Sequence, residues 1–402
     1  MKKILIVGGD SQPIPPINGG AVENLVQMFI ETNEIKEKFE INVISCYDDK
    51  LEQEKNIYRH CNYEYINNYK KNSLFKRYYA IIVKKIFGRE HVIKSDYAKQ
   101  LVKKIKANYI DFDTILVENY IQAILPLKKK FPDKKIIYHL HNDKLNYGTI
   151  KGKEIVDACD SIITVSDYIK SRVDTIAEAS NKTITILNSI YVDNFGTKDL
   201  HDNSHNIRKK LNIDKNDTVI LFAGRVTKTK GVYELVSAFK DVVKDNLKLV
   251  IVGDSWYKKS PKKDKYIELV KNISENIKQN IVFTGYIDYS DMPNYYAIAD
   301  IVVIPSIWQE PCSLTLFEAM ASNKALLTTR TGGTPEVVKD YGILIEVNND
   351  IIKSLSKKLE ELVNNKEVRN ELAKRGYDYV QKYNPDRYYN EIAKIINGVK
   401  EE

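Results

Sequence analysis

One stretch of the sequence decides the fold: Pro305-Ser306-Ile307-Trp308-Gln309-Glu310-Pro311-Cys312-Ser313-Leu314-Thr315-Leu316-Phe317-Glu318-Ala319-Met320-Ala321. The apolar run just before it, Ile301–Ile304, is typical of a buried parallel strand. Because proline is tolerated in the first turn of a helix and not further in, Pro311 predicts the start of a helix. Glu310 would then lie in the loop after the strand, and Glu318 about a turn and a half inside the helix.

The spacing of the two glutamates leaves a helix N-terminus between them. The first N–H groups of a helix lack internal partners and attract anions, so the amides near Ser313, Leu314 and Thr315 form a candidate anion site. At about 1.5 Å per residue, Ser313 to Glu318 spans roughly 7–8 Å, close to the phosphate-to-ribose length of a nucleoside diphosphate. The spacing also allows a plainer interpretation, in which Glu310 faces the helix dipole and Glu318 is an ordinary surface residue.

Length and composition indicate a globular protein of two domains. The 402 residues exceed one typical core, and 43% hydrophobic with 29% charged residues is ordinary for a globular chain. No apolar run approaches the roughly 18–20 residues of a membrane span. The apolar part of Met1–Gly9 is too short for a signal peptide and predicts a strand. Four cysteines without metal-binding spacing favour reduced thiols and a cytosolic protein.

The order of predicted elements indicates α/β domains with mainly parallel sheets. Strands alternate with helical patterns on both sides of a polar stretch, which requires helices on both faces of each sheet. We therefore predict an N-terminal domain at 1–195, a linker at 196–216, a C-terminal domain at 217–380 and a final helical segment at 381–402. The apolar stripe of that last segment predicts packing on the first domain. Facing domains of this kind would bind a ligand in the cleft, at the strand C-termini.

Individual elements follow from the same patterns. In the first half, strands are predicted at Lys3–Gly8, Ile41–Tyr47, Asp113–Glu118, Ile136–His141, Ser161–Ser166 and Thr183–Asn188. In the second half, strands are predicted at Val219–Ala223, Lys248–Val252, Ile281–Phe283, Ile301–Ile304, Ala325–Thr328 and Ile343–Glu346. Helices are predicted at Ala21–Ile35, Tyr97–Lys106, Tyr168–Ala179, Ile351–Asn364, Glu367–Lys382 and Pro385–Gly398.

The loop after the first predicted strand ends in Gly19-Gly20, just before a helix. Glycine lets the backbone approach a phosphate closely at a helix N-terminus, although a simple turn explains the same residues. Neither the GxGxxG pattern of nicotinamide-binding folds nor a P-loop is present.

The loop after Val219–Ala223 contains two candidate anion-binding cations, Arg225 and Lys230. At the C-terminal end of a strand they could clamp a diphosphate, and the alternative is plain surface charge. Three glycines and a tyrosine at predicted strand ends could contact a nucleotide or form turns: Gly224, Gly253, Gly285 and Tyr286.

Two histidines lie on the same face of one predicted strand. His141 ends the strand, whereas His139 lies inside it, so one of them could serve substrate and the other the core. The motif Asp111-Phe112-Asp113 imitates a metal-binding Asp-x-Asp pair, but it precedes a strand and has no visible partner ligands. We therefore expect no essential metal.

The net charge of +8 is concentrated in one segment. Lys70–Lys106 carries twelve Lys or Arg residues and two acids, interleaved with aromatic and aliphatic residues. Such a segment suits an anionic membrane surface, and the alternative is a solvated basic helix. No recognition motif for nucleic acid accompanies it, so nucleic-acid binding is not expected.

Together these motifs resemble the retaining GT-B glycosyltransferases of family 4, the glycogen synthase-like or group 1 enzymes. The resemblance covers the whole chain and is most specific from Gly224 to Glu336. It rests on Gly19-Gly20, His141, Gly224-Arg225, Lys230-Gly231, Gly253, Gly285, Glu310 through Ala321 and Gly332-Gly333-Thr334-Pro335-Glu336. Two departures are Cys312-Ser313, where the family commonly has Phe-Gly, and the family's NGVD motif, which here reads Asn188-Ser189-Ile190-Tyr191-Val192-Asp193.

The resemblance implies a GT-B fold, with two Rossmann-like domains facing across a cleft and a C-terminal helix that returns to the N-terminal domain. It implies that Arg225 and Lys230 bind the donor diphosphate and that Glu318 binds the ribose. It further implies that Glu310 and the backbone of Cys312, Ser313, Leu314 and Thr315 hold the sugar and phosphate, and that Gly19, Gly20 and His141 approach from the other domain.

The expected function is retaining transfer of a hexose or related sugar from a nucleotide sugar, without metal or other cofactor. The expected acceptor is a glycan, lipid-linked, in bacterial surface polysaccharide or glycoconjugate synthesis. We expect a cytoplasmic protein, and the alternative is a peripheral position on the inner face of the cell membrane. Two alternatives remain open: an epimerase or phosphorylase on the same fold, or a non-catalytic subunit that binds nucleotide sugar.

Overall fold

The computed structural model describes the chain except residues 18, 54–57, 68–77, 80, 83–84, 86–94, 109, 178, 197–198, 256–263 and 399–402. The chain forms two compact units, one of Met1–Asn188 with Pro385–Glu402 and one of Ser189–Asn384. Most of the predicted basic segment at 70–106 lies outside the described residues. Among those that are described, no helix is long and apolar enough to cross a membrane.

The first unit is built on a seven-stranded parallel sheet with the strand order β3-β2-β1-β4-β5-β6-β7. Its strands are β1 Lys2–Val7, β2 Phe39–Cys46, β3 Cys61–Ile66, β4 Thr114–Glu118, β5 Lys135–Leu140, β6 Ser161–Thr164 and β7 Thr183–Thr185. Its helices are α1 Ala21–Lys36, α2 Asp96–Ala107, α3 Ile124–Lys130, α4 Gly152–Ala158 and α5 Asp167–Val173, joined later by α14 Pro385–Asn397. Short 3₁₀ turns lie at Asp49–Gln53, Ile121–Ala123 and Ala179–Asn181.

The predicted strands of this unit are confirmed to within one or two residues at most ends, because central strands of a parallel sheet are apolar on both faces. Strand β3 was not predicted. It is an edge strand with the sequence CNYEYI, and its half-buried polar and aromatic residues lack the continuous apolar run. Helix α5 ends at Val173, six residues before the predicted Ala179, and the helices α3 and α4 were not predicted either.

The last helix, α14, packs on the first helix of the chain. The ring of Tyr389 stacks on Phe29 with 4.9 Å between centroids, and its hydroxyl donates to Asn33 Oδ1 at 2.8 Å. The Asn33 amide in turn donates to the carbonyl of Phe39 at the start of β2. The C-terminal helix is therefore part of the first unit, as the GT-B resemblance implies.

The second unit has a six-stranded parallel sheet with the order β10-β9-β8-β11-β12-β13. Its strands are β8 Thr218–Ala223, β9 Leu247–Val252, β10 Ile281–Gly285, β11 Ile301–Ile304, β12 Ala325–Thr329 and β13 Ile343–Ile345. Its helices are α6 Asp199–Lys210, α7 Val232–Val242, α8 Lys265–Ile273, α9 Met292–Ala297, α10 Leu314–Ala321, α11 Thr334–Val338, α12 Ile351–Asn364 and α13 Lys366–Val380. Further 3₁₀ turns lie at Val192–Phe195, Lys228–Lys230, Glu275–Asn280 and Tyr289–Asp291.

Helices α7 and α12 cover one face of this sheet and share its core. Phe222, Phe239 and Leu355 are at most 1% exposed in that core. At about 25 cal/mol per Å² of apolar area removed from water, burial of this kind holds the helices on the sheet. This packing also holds β8 and β11, whose following loops lie at one edge of the sheet.

The polar segment 196–216, predicted as a linker, carries helix α6 and is counted with the second unit. Arg208 ties this helix down, since its guanidinium donates to the carbonyls of Asp214, Asp217 and Ile298. From the sequence only Ile207–Leu211 was predicted to be helix-like, because the residues before it are polar and lack an apolar stripe.

Helix α10 begins at Leu314 with Ser313 as N-cap, three residues later than Pro311 predicts. The Ser313 backbone is extended, so the chain from Pro311 to Ser313 is still loop. Pro311 is therefore part of the approach to the helix rather than its first turn.

Candidate active site

The loops after β8 and β11 leave the same edge of the second sheet. The two strands are parallel neighbours, with Ile220 opposite Ile301 and Leu221 opposite Val302. The carboxyl ends of parallel strands meet at one edge, so the segments 224–231 and 305–313 lie side by side. The backbone N–H of Ile307 donates to the carbonyl of Thr229 at 2.9 Å and joins them directly.

Glu310 is the centre of a buried hydrogen-bond cluster in these loops. Its Oε1 lies 2.5 Å from Lys230 Nζ, and it also accepts from Ser306 Oγ and from Trp308 Nε1, each at 2.7 Å. The residue is only 4% exposed. Within the part of the chain that the structure describes, Glu310 Oε2 has no hydrogen bond. One carboxylate oxygen is thus fixed by three donors and the other is available to a ligand.

Two glycines allow this close packing. Gly231 has a φ of +69°, and a Cβ there would overlap the carbonyl of Pro305. Gly332 has a φ of +50°, and a Cβ there would overlap the carbonyl of Glu310, which accepts from the N–H of Gly333 at 2.7 Å. The loop of Glu310 is therefore held between β8 and the turn after β12.

Three strand ends of the same sheet edge carry the predicted glycines. Gly224, Gly253 and Gly285 follow or end β8, β9 and β10, and the N–H of Gly253 donates to the carbonyl of Gly285 at 3.0 Å. Arg225, next to Gly224, is half-buried. Tyr286 is half-buried after β10, and burial raises the pKa of its hydroxyl. The structure thus brings these five predicted site positions to one edge of the second sheet.

The start of helix α10 offers backbone donors near Glu310. Ser313 Oγ bonds Thr315 Oγ1 at 2.8 Å, and the Ser313 side chain does not cap the first amides of the helix. Cys312 and Leu314 are each 8% exposed, whereas Ser313 and Thr315 are half-buried. The start of helix α10 therefore stays a predicted anion site.

Glu318 lies inside the same helix and is 3% exposed. Its Oε2 accepts from Tyr296 Oη at 2.8 Å, and the hydroxyl of Tyr289 lies near the same carboxyl group. Burial raises the pKa of Glu318 to about 7, although the two tyrosine hydroxyls oppose that rise. The plainer interpretation of Glu318 as an ordinary surface residue is therefore wrong.

In the first unit, His141 belongs to a buried cluster at the ends of β4 and β5. Glu118 Oε2 lies 3.1 Å from His139 Nδ1 and 3.2 Å from His141 Nε2. The two imidazole rings are 4.1 Å apart between centroids. Burial, followed by the charge of His139, lowers the pKa of His141 to about 4. Burial disfavours the charged form of Glu118, but the two histidines outweigh it and lower the pKa of its carboxyl group to about 2.

This cluster is also the one group of described residues whose ligand atoms could hold a metal ion, since all three lie within 4.8 Å of one another. The Asp111-Phe112-Asp113 motif has a different role. Asp111 pairs with Lys3 Nζ at 2.6 Å, and Asp113 accepts from the Lys3 backbone N–H at 2.9 Å, so both anchor the first strand.

Gly19 and Gly20 lie just before helix α1, and both have positive φ values, of 72° and 129°. A Cβ at Gly20 would overlap the carboxylate of Glu23 in the first turn of the helix. Burial, and then the charge of Glu118, raises the pKa of Glu23 to about 7. The glycine pair therefore has backbone geometry that only glycine adopts readily.

Several residues of these clusters were not predicted from the sequence: Ser306, Trp308, Glu118, Asn119, Tyr289 and Tyr296. Ser306 and Trp308 lie in the quoted stretch and could have been found from their distance in sequence to Glu310. Glu118 ends a strand that pairs with the strand of His139, and only the strand order shows this. The two tyrosines come from a different helical segment and left no local signal.

Comparison with known proteins identifies relatives over most of the chain. The family profile described as "Glycosyl transferases group 1" matches residues 203–379. The chain is 30% identical over 302 residues to the putative glycosyltransferase YtcC of Bacillus subtilis, covering 72% of this chain and 73% of that protein. It is 26% identical over 345 residues to the lipopolysaccharide 1,2-N-acetylglucosaminetransferase of Salmonella typhimurium, covering 85% and 83%.

Solved structures give the same fold. HepE of Anabaena, crystallised with UDP and glucose, superposes with a TM-score of 0.74 over 99% of this chain and 100% of that one, at 17% identity. The two parallel α/β sheets and this likeness define a protein of the GT-B class, which confirms the predicted fold. With the relation to YtcC, the chain belongs to the group 1 glycosyltransferases. It is a glycosyltransferase.

Proposed function

We propose that the protein transfers a sugar, with retention of configuration, from a nucleotide-sugar donor bound at the β8 and β11 loops. The observation that carries this proposal is the Lys230–Glu310 pair beside the start of helix α10. It sets one cation, one carboxylate oxygen without a hydrogen bond among the described residues and the backbone amides of a helix start at a single sheet edge. Sugar hydroxyls donate to carboxylates and phosphates accept from cations and amides, so the set matches a sugar diphosphate.

The residues proposed to bind the nucleotide sugar would contact different parts of it. Arg225 and Lys230 would take the diphosphate, since breaking the sugar–phosphate bond leaves negative charge there. Glu310 Oε2 would accept a hydroxyl of the transferred sugar. Glu318 would take the ribose, because it is the second carboxyl group of the same helix segment. Gly19, Gly20 and His141 stay predicted sugar-binding residues of the first unit.

Metal-free transfer is part of this proposal. The charge that a divalent cation would supply to the leaving diphosphate is available from Arg225, Lys230 and the amides around Ser313 to Thr315. Retention is expected through attack on the face that the diphosphate leaves, with the leaving phosphate taking the proton of the acceptor hydroxyl. No side chain of the second unit is then needed as a general base.

The acceptor is proposed to be a glycan, carried on a lipid, in bacterial surface polysaccharide or glycoconjugate synthesis. Relatives support this choice by name: the Salmonella enzyme acts in lipopolysaccharide synthesis, and the capsular polysaccharide glycosyltransferase CapM of Staphylococcus aureus is 26% identical over 246 residues. UDP in the HepE crystals supports a nucleotide-sugar donor. The basic composition of Lys70–Lys106 supports a peripheral position at the inner membrane face.

The test is transfer from a panel of nucleotide sugars to a lipid-linked glycan, with the anomeric configuration of the product read by NMR. We expect activity to persist with EDTA present. Glu310→Gln and Arg225→Ala should each lower kcat/KM by about 10²–10³. Lys228→Ala is the matched control, because Lys228 is an exposed lysine on the same loop. Full activity of both site variants, an inverted product or inactivation by EDTA would contradict the proposal.

A further inference from the structure

At the ends of β4 and β5, Glu118 and Asn119 of one strand end form hydrogen bonds with His139 and His141 of the other. Glu118 is paired with His139 across the two strands, and the next residue, Asn119, donates its backbone N–H to the carbonyl of His139 at 2.8 Å. Asn119 has a φ of +50°, a conformation that asparagine tolerates better than most residues. Its Oδ1 accepts from the His141 backbone N–H at 3.2 Å and from the Asn142 side chain at 2.6 Å. The backbone of His141 is therefore fixed by Asn119.

The ring of His141 is fixed by Glu118. A carboxylate can accept hydrogen bonds from both histidines at once, whereas a protonated carboxyl group could donate only one. Glu118 is 3% exposed and His139 is fully buried, so solvent does not compete for these bonds. When Glu118 accepts both bonds, His141 donates to it through Nε2 and His139 donates to it through Nδ1.

This assignment leaves His141 Nδ1 with a lone pair. Among the described residues nothing bonds this atom, so it can accept one hydrogen bond from a ligand. In the other ring, His139 Nε2 is buried and has no hydrogen-bond partner among the described residues, so a ligand cannot reach it. Of the two histidines, only His141 is partly accessible.

We propose that Glu118 and Asn119 are positioning residues that hold His141 as a hydrogen-bond acceptor, through Nδ1, for a hydroxyl of a sugar substrate. The proposal rests on the proposed glycosyl transfer, because it takes the ligand of His141 to be a sugar. Because Nδ1 accepts, the ligand must supply a hydrogen-bond donor at this position. A phosphate or carbonyl oxygen is therefore excluded there.

The first test reads the tautomer directly. ¹⁵N chemical shifts of histidine-labelled protein, with His141→Asn used to assign the peaks, should show Nε2–H and bare Nδ1 for His141 in the wild type. In Glu118→Gln the amide can donate as well as accept, so we expect a mixture of both tautomers. Circular dichroism and thermal unfolding establish that the variant is folded. An unchanged tautomer in folded Glu118→Gln would overturn the proposal.

The second test is a double-mutant cycle on transfer. Glu118→Gln and Asn119→Gly should each lower kcat/KM about tenfold, since positioning contacts of this kind couple by about 1.4 kcal/mol. Glycine keeps the positive φ at 119 and removes only the side chain. Combining Glu118→Gln with His141→Ala should be no worse than His141→Ala alone. Fully additive losses would show that Glu118 acts independently of His141 and would overturn the proposal.

Two measurements show whether the hydroxyl that contacts His141 belongs to the nucleotide sugar or to the acceptor. If the hydroxyl belongs to the nucleotide sugar, the variants should hydrolyse the nucleotide sugar more slowly than the wild type when no acceptor is present. If it belongs to the acceptor, the variants should show a raised KM for the acceptor. Zinc retained in one-to-one ratio by the wild type and lost in Glu118→Gln would make the cluster a metal site and overturn the proposal. If the wild type transfers no sugar, the proposed function fails, and the tautomer measurement still decides the role of Glu118.

Discussion

Lys230 Nζ lies 2.5 Å from Glu310 Oε1, so the cation proposed for the diphosphate and the carboxylate proposed for the sugar are bonded to each other. The same lysine lies 5.9 Å from the centroid of the Trp308 ring, whose N–H also donates to Glu310. The three side chains therefore form one preorganised unit. A change in any of them is expected to affect both ends of the sugar–phosphate bond.

Lys230→Ala should lower kcat more than it raises the KM of the donor. The lysine charge is matched to the charge that develops on the leaving diphosphate, so its loss costs about 10²–10³ in kcat. Lys230→Arg should recover only part of this, because a planar guanidinium does not replace a compact ammonium at a 2.5 Å contact. Steady-state kinetics with varied donor measures both. Equal loss in Lys228→Ala would show that general surface charge is responsible.

Trp308→Phe should lower kcat/KM about tenfold, because it removes one of the three donors to Glu310 while keeping an aromatic ring beside Lys230. Trp308→Ala should cost more, since it removes the ring as well. Kinetics of the two variants and the wild type give the comparison. Equal activities of Trp308→Phe and wild type would mean that the indole N–H does not hold Glu310 for reaction.

Gly332→Ala should destabilise the fold by about 3 kcal/mol, because it combines an unfavourable positive φ with overlap against the carbonyl of Glu310. Gly285→Ala is the matched control. Gly285 has a similar φ of +71°, but nothing lies within 4 Å of the position its Cβ would take. It should therefore cost only about 1 kcal/mol. Urea unfolding of both variants measures the difference, and similar losses would contradict the close packing of the Glu310 loop.

Glu318 should make stability depend on pH. Its pKa is raised from the ordinary 4.5 to about 7, so between these values the folded protein keeps a proton that the unfolded chain releases. The contribution is fully present below about pH 4.5 and is lost as the pH rises through about 7. We expect a loss of about 3 kcal/mol in the free energy of unfolding. Glu318→Gln should lack this slope in urea unfolding from pH 4 to pH 8. Parallel curves for the variant and the wild type would show that the pKa of Glu318 is the same in the folded and unfolded protein, which would contradict the prediction.

The sequence predicted most strands because buried parallel strands are continuous apolar runs, as at β11 and β12. It also predicted the local groupings, such as Glu310 with the start of the following helix. The contacts that it did not predict join residues far apart in the chain. Glu318 with Tyr296, and Glu118 with His141, depend on which strands and helices become neighbours, and local spacing does not determine that.

The burial of Glu318 shows a second limit of sequence patterns. A glutamate inside a helix is usually placed on its exposed side. Here the polar partner is supplied by two tyrosines from another segment, so the carboxyl group can be buried without being left unpaired. The sequence therefore placed Glu318 correctly inside a helix, but it gave no local signal for the tyrosines beside its carboxyl group.

Helix α14 has a consequence for the order of events during protein synthesis. The first unit takes Phe29 and Asn33 from near the start of the chain and Tyr389 from near its end. The ribosome must therefore make the whole second unit before the aromatic surface of the first helix can be covered. A nascent chain that stops short of Pro385 leaves the first sheet without this helix, and chaperones would meet it in that form.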